Sequence, residues 1–194
     1  MRYEIPKFVA LGSAAEYGFT NFNCQADTSD LVETDQYSSS KISTYESINS
    51  LLELSATSFV WFRVFQPYGR NQDRNRFLPY LISSVERGMQ PVIKHPRFIF
   101  DWINTTDIAH AIMYAIDNDF EGAVDVGTGV GTSNLDLCKL LTKTYGIEFD
   151  SISDSLDSKV QGLVMSQDAK LLKTGWRPQI DLPTGLANLI GHRR

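Results

Sequence analysis

DVGTGVGTS, residues 125–133, is the stretch on which the reading of this 194-residue chain turns. Three glycines alternate behind an aspartate, between the apolar run GAVDVG (122–127) and the helical pattern NLDLCKLL (134–141). Backbone N–H groups in such a turn converge and can hold an anion. A turn that opens a cofactor-binding unit needs most of the fold behind it. Here only residues 134–194 follow, and their patterning weakens after Asp150 until a last helical run, LPTGLANLI (182–190).

Working outward from the turn, strands and helices alternate. KFVAL (7–11), FVWFRVF (59–65), FIFDWI (98–103) and GAVDVG (122–127) read as short buried strands. A polar loop spans residues 19–36. Tyr37, Lys41, Tyr45, Ile48 and Leu52 then make one helical stripe up to about residue 54. RFLPYLISSVERG (76–88) reads as a helix stopped by glycine, TDIAHAIMYAI (106–116) as another, and NLDLCKLLTKTY as a fourth. The pattern predicts an α/β protein with some parallel sheet.

Three readings compete for the glycine turn. A dinucleotide fingerprint needs a third small residue for helix–strand packing, and the register gives Gly127, Gly129 and Thr132. D-x-G-x-G-x-G also resembles the first motif of S-adenosylmethionine-dependent methyltransferases, with Glu148 and Asp150 placed for a ribose. That fold needs several more strand–helix units than the remaining residues supply. The third reading is a strand-to-helix turn in which glycine supplies unusual backbone angles and Thr132 or Ser133 caps the helix. We adopt the third.

Composition narrows the class. The net charge is −5 with scattered basic residues, which points away from nucleic acid and membrane surfaces. No window approaches a membrane span, and MRYEIPKFVA lacks a signal-peptide pattern. Cys24 lies in a polar loop and Cys138 in an apolar helical run; with no export signal they predict a reducing, cytoplasmic setting. His95, His110 and His192 have no ligand spacing, so no metal is expected.

The chemistry is sought in GSAAEYG (12–18) and YSSSK (37–41). Tyr37 and Lys41 stand one helical turn apart and share a face. A free tyrosine ionises near pH ~10, and an ammonium held close favours the phenolate. Ser13, at the end of a neighbouring strand, can donate to the same oxygen. Such a trio suits alcohol–ketone interconversion beside a hydride carrier. Y-x-x-x-K alone is weak, since chance places one such pair in roughly a third of chains with this many tyrosines and lysines. Order and context add the weight: Ser13 follows a buried strand, and Lys41 stands in an otherwise apolar stripe.

At these residues the sequence resembles the extended short-chain dehydrogenase/reductases, the NAD-dependent nucleotide-sugar epimerase/dehydratase family. KFVALGSAAEYG is similar to the family's strand ending in S-x-x-x-Y-G, and DQYSSSKISTYE to its Y-x-x-x-K helix. FRVFQPYG resembles R-x-F-N-P-Y-G, and RFIFDWINTTDIAHAI resembles R-D-[FW]-[IL]-x-V-x-D-x-A-x-A. GAVDVGTGVGTSNLDLCKLL resembles the substrate-domain segment Y-N-x-G-x-G-x-G-x-S-x-L-D, and GWRP (175–178) the late G-W-x-P. The resemblance implies the C-terminal part of a Rossmann-type parallel sheet plus a small α/β substrate-binding domain. Residues 1–69 would be the residual half of the dinucleotide-binding domain and 70–194 mainly the substrate domain, with 98–116 returning to the Rossmann part.

The same resemblance implies roles. Tyr37 is the acid/base in hydride transfer at sugar C4, Lys41 binds the nicotinamide ribose and tunes Tyr37, and Ser13 hydrogen-bonds the reacting hydroxyl. Phe65 lies near the nicotinamide of NAD or NADP, Gln66 near the nucleotide-sugar substrate, and Arg76 is a candidate for its phosphates. A homodimer through the Tyr37 helix is implied by analogy.

Departures sharpen the expectation. The family's Gly-rich first βαβ unit, and with it the main cofactor loop, is absent, so a fragment, split protein or truncated product is expected, with one sheet edge unpaired and apolar faces uncovered. Ala14 and Ala15 stand where dehydratases carry an acidic residue, with Glu16 pointing elsewhere; Phe100 replaces the arginine before D-W, and Gln66 the asparagine before P-Y-G. The expected activity is therefore an NAD(P)-dependent nucleotide-sugar epimerase or 4-keto-sugar reductase. The alternative is a catalytically silent fragment or sugar-nucleotide-binding module.

Overall fold

The computed structural model describes residues 5–19, 23–147, 163–166 and 170–191. Strand β1 (Lys7–Ser13) runs into a 3-10 turn (Ala14–Tyr17) and, after a loop, helix α1 (Gln36–Leu52). Next come β2 (Ser58–Val64), β3 (Gln66–Tyr68), α2 (Phe77–Glu86), β4 (Ile99–Asn104), α3 (Thr105–Asp117) and β5 (Gly122–Val126). The chain continues through β6 (Gly131–Ser133), α4 (Asn134–Tyr145), β7 (Leu163–Val164), α5 (Lys170–Lys173) and α6 (Leu182–Gly191).

One sheet has the order β1-β2-β5, all parallel. β2 takes the centre because FVWFR is buried on both faces, as an interior parallel strand must be. Its Val60 and Phe62 join Val124 and Val126 of β5 against Ile108, Ala111 and Ala115 of α3. On the opposite face Phe59 and Trp61 meet Tyr45 of α1, with ring centroids 6.1 and 5.6 Å apart. The register sets Gly12, Arg63 and Asp125 side by side on that α1 face. Since α1 is the crossover between parallel strands, its first turn lies at their C-terminal ends.

β4 is the centre of a second sheet, parallel to β3 and β7 and antiparallel to β6. Its core gathers Leu81 and Val85 of α2, Leu137 and Leu141 of α4, and Leu186 of α6 around Tyr68 and Trp102. Residues 98–116 thus divide: the strand is bonded into the second sheet, while α3 packs on the first.

The long elements fall where periodicity predicts them. α1 starts at the N-cap Asp35, which accepts from Ser38 N, and Ser38 reciprocates as a capping box. That cap rolls Ser38 and Ile42 inward and leaves Tyr37 53 % exposed, so the apolar stripe begins at Lys41. The 3-10 turn, β3, β6, β7 and α5 were not read from sequence; elements of two to four residues show no period. Cys24, in what reads as a polar loop, is buried and bridges to Ser166.

The expected bare edge is present. Among the described residues β1 has a strand neighbour on one side only, and Phe8, Val9 and Leu11 remain 39 %, 36 % and 51 % exposed. No described helix is long and apolar enough to cross a membrane.

Candidate active site

Ser13 ends β1 in extended geometry and caps the 3-10 turn, its Oγ accepting from Ala15 N at 3.2 Å. With that lone pair engaged, its O–H remains a donor. Lys41 Nζ donates to Leu11 O at 2.9 Å, which ties α1 to the strand two residues before Ser13. The same ammonium lies 5.9 Å from the ring centroids of Tyr37 and Trp61. Among the described residues the Tyr37 hydroxyl has no hydrogen-bond partner. Ser13, Tyr37 and Lys41 therefore share one corner at the carboxyl ends of the strands, where open α/β sheets bind ligands.

Phe65 follows directly on the end of β2. It is buried, its ring 6.3 Å from that of Tyr17, and its N–H donates to Val126 O at 3.0 Å. Gln66 opens β3, half-buried and in register with Trp102. Arg76 is the N-cap residue of α2 and exposed, without a side-chain capping bond. Among the described residues no hydrogen bond joins Gln66 or Arg76 to the corner.

Beneath the corner lies a buried polar network that sequence reasoning missed. Arg63 Nε donates to Glu16 Oε2 at 2.7 Å, and Trp61 Nε1 donates to both Glu16 oxygens at 3.1 Å. Arg63 Nη1 donates to Tyr17 Oη (3.3 Å) and Ala26 O (3.1 Å), and the Tyr17 hydroxyl donates to Asp125 Oδ1 at 2.6 Å. Burial pushes the Asp125 carboxyl up to about 7, against the opposing pull of Tyr17 and Arg63. Burial likewise raises the Tyr17 phenol, with the charge of Asp125 adding to the effect. The Cys24 thiol is pushed up to about 12 by burial and then by Asp125, and Cys138 to about 11 by burial, so both stay thiols at neutral pH.

The glycine turn does cradle an anion, and the anion belongs to the protein. Asp101, fully buried on β4, accepts from Thr128 N (2.8 Å), Thr128 Oγ1 (2.5 Å), Gly129 N (2.9 Å) and Ser166 N (3.1 Å). Burial raises this carboxyl, and those donors pull it back down. Gly129 has φ +75°, and a Cβ on Gly127 would come within 2.5 Å of Asp101 Oδ2. Glycine is needed there to admit a side chain, and the Thr128 and Gly129 N–H donors are spent on it rather than on a phosphate. Ser133 caps α4 by accepting from Asp136 N at 3.0 Å, as the turn reading predicts. Glu148 and Asp150 lie outside the described residues.

One signal was available for the missed residues. Arg63 in FVWFRVF, Asp101 in FIFDWI and Asp125 in GAVDVG are lone charges inside apolar strands, and a buried charge requires a partner.

The chain is 22% identical over 180 residues to dTDP-L-rhamnose 4-epimerase of Burkholderia thailandensis, covering 89% of this chain and 50% of that protein. It is 28% identical over 145 residues to CDP-abequose synthase of Salmonella typhimurium, covering 69% and 48%. The chain thus spans about half the length of these curated relatives. Its fold matches that of UDP-N-acetylglucosamine 4-epimerase from Methanobrevibacter ruminantium, solved with UDP-N-acetylmuramic acid, at a TM-score of 0.82 and 20% identity over 98% of this chain and 64% of that one. Other solved structures of this fold contain NAD or NADPH. The family model described as NAD dependent epimerase/dehydratase matches residues 1–127, more than half of the sequence, and the chain belongs to that family.

Proposed function

We propose that this chain carries the sugar-side and acid/base half of an NAD(P)-dependent nucleotide-sugar epimerase or 4-keto-sugar reductase. The observation that carries the reading is the corner itself: the Ser13 O–H and the Tyr37 hydroxyl are open beside an ammonium fixed on Leu11 O.

In the oxidising direction the Tyr37 oxygen accepts the proton of the sugar C4 hydroxyl while the C4–H bond breaks and its electron pair leaves with hydrogen. Reduction of a 4-keto sugar runs the same step backwards, with Tyr37 returning the proton to oxygen. Ser13 donates to the C4 oxygen and holds it beside Tyr37. Lys41 holds a positive charge 5.9 Å from the Tyr37 ring, and its two remaining N–H donors suit a ribose diol. When bound, a nicotinamide supplies the hydride acceptor or donor; Tyr37 and Lys41 fit its ribose end, with Phe65 behind them. Its pyrophosphate has no cradle in the glycine turn, which Asp101 fills. Ala14 and Ala15 offer no acid/base group, which disfavours dehydration.

The test is calorimetric titration of the purified chain with NADH and with UDP-, dTDP-, CDP- and GDP-sugars. The reading expects a sugar nucleotide to bind and NADH to bind weaker than micromolar. Tight NADH binding, or no binding of any sugar nucleotide, contradicts it.

A further inference from the structure

We propose that Glu16 is a positioning residue that fixes Ser13 for the sugar, an inference that rests on the function proposed above. Glu16 follows Ser13 by three residues and is 0 % exposed, folded back against the end of β1. Its Oε1 accepts the Ser13 N–H at 2.8 Å. The same carboxylate is held from the other side by Arg63 Nε at 2.7 Å and by the Trp61 indole at 3.1 Å. Gly12 leaves the space for this arrangement, since a Cβ there would overlap both Trp61 Nε1 and Glu16 Oε1.

A capping box needs only the turn's own residues, a serine and a glutamate three apart. Here the glutamate is also anchored to two side chains of the central strand β2. That anchorage makes the turn an extension of the sheet and removes Ser13's freedom to swing with the loop. Ser13 φ and ψ are held at −150° and 145°, and its Oγ is held on Ala15 N. The hydroxyl proton is then free to donate from an oxygen held at the end of a strand. Lys41 on Leu11 O fixes the other side of the same strand end. The donor and the acid/base helix are thus referenced to one strand, which is the precision that proton transfer requires.

The experiment compares the affinity of the chain for UDP-, dTDP-, CDP- and GDP-glucose with that for the 4-deoxyglucose counterpart of each, by calorimetry. The wild type is expected to prefer the 4-hydroxy sugar about tenfold, the contribution of one hydrogen bond. Ser13→Ala abolishes the preference. Glu16→Ala abolishes it too, while the affinity for the nucleoside diphosphate, which lacks a sugar, stays unchanged. Since Glu16→Ala leaves Arg63 buried and unpaired, Glu16→Met/Arg63→Met removes the pair together and serves as the second variant; it is expected to fold and to lose the preference. A variant at Glu16 that binds the diphosphate and keeps the full preference overturns the proposal. Equal effects of Glu16→Ala on 4-hydroxy and 4-deoxy sugars do so as well. If the wild type binds no sugar nucleotide, the function proposed above fails and this inference with it, an outcome distinct from the other two.

Discussion

The glycine turn and the Ser13–Tyr37–Lys41 corner stand at the same ends of the strands and invite opposite conclusions. The turn has the appearance of a binding site, but its N–H donors converge on Asp101, so its polar groups are satisfied from within. The corner has no conspicuous motif beyond Y-x-x-x-K, yet it leaves two hydroxyls open beside a fixed ammonium. A polar cluster that closes on itself holds a fold together; one that stops short of closure is available to a ligand. The difference lies in which groups still lack partners, which a motif alone does not report.

The comparison can be broken most forcefully at Asp101. Asp101→Ala strands three N–H donors, that of Ser166 buried and those of Thr128 and Gly129 half-buried, and the Thr128 hydroxyl, and is expected to lower unfolding free energy by about 3–5 kcal/mol in urea denaturation. A loss below ~1 kcal/mol would show that the turn does not depend on its internal anion.

Tyr37→Phe should do the reverse. Its hydroxyl holds nothing in place, so stability changes by less than about 0.5 kcal/mol. In an enzyme that includes the part of the relatives this chain does not span, turnover should fall by about 100-fold or more, the scale of a lost acid/base. Near-normal turnover would remove Tyr37 from the chemistry.

A smaller effect, read through pH, concerns the buried carboxyl of Asp125. Burial raises the Asp125 carboxyl from 3.8 to about 7, so the folded chain holds a proton that the unfolded chain releases. That contribution is fully present below pH ~4, declines as pH rises toward 7, and is lost above it. Asp125→Asn keeps an acceptor for the Tyr17 hydroxyl and cannot ionise. It should therefore flatten this part of the pH profile and gain about 1–3 kcal/mol at pH 8 relative to wild type. An unchanged profile would mean that Asp125 is ionised when buried.

Much of this was legible in the sequence. Periodicity located the long helices and the strands of the parallel sheet, and the order of Ser13, Tyr37 and Lys41 located the corner. The bare edge of β1 among the described residues was implied by the family resemblance, not by the local pattern. The Glu16–Arg63 pair was not legible, because its members lie 47 positions apart and meet only once β1 and β2 pair in register. The occupant of the glycine turn was hidden for the same reason: Asp101 reaches Thr128 across a strand pairing of β4 with a three-residue strand that has no period of its own. Local pattern gives elements; the charges inside them acquire meaning only from the register.

The most direct test of the contrast is an amide map of the ¹⁵N-labelled chain titrated with whichever of UDP-, dTDP-, CDP- or GDP-glucose binds it best. The account predicts chemical-shift changes at Ser13, Tyr37 and Lys41, with Gly127, Thr128 and Gly129 unmoved. Shifts centred on residues 127–131 with Ser13 and Tyr37 unaffected would contradict it.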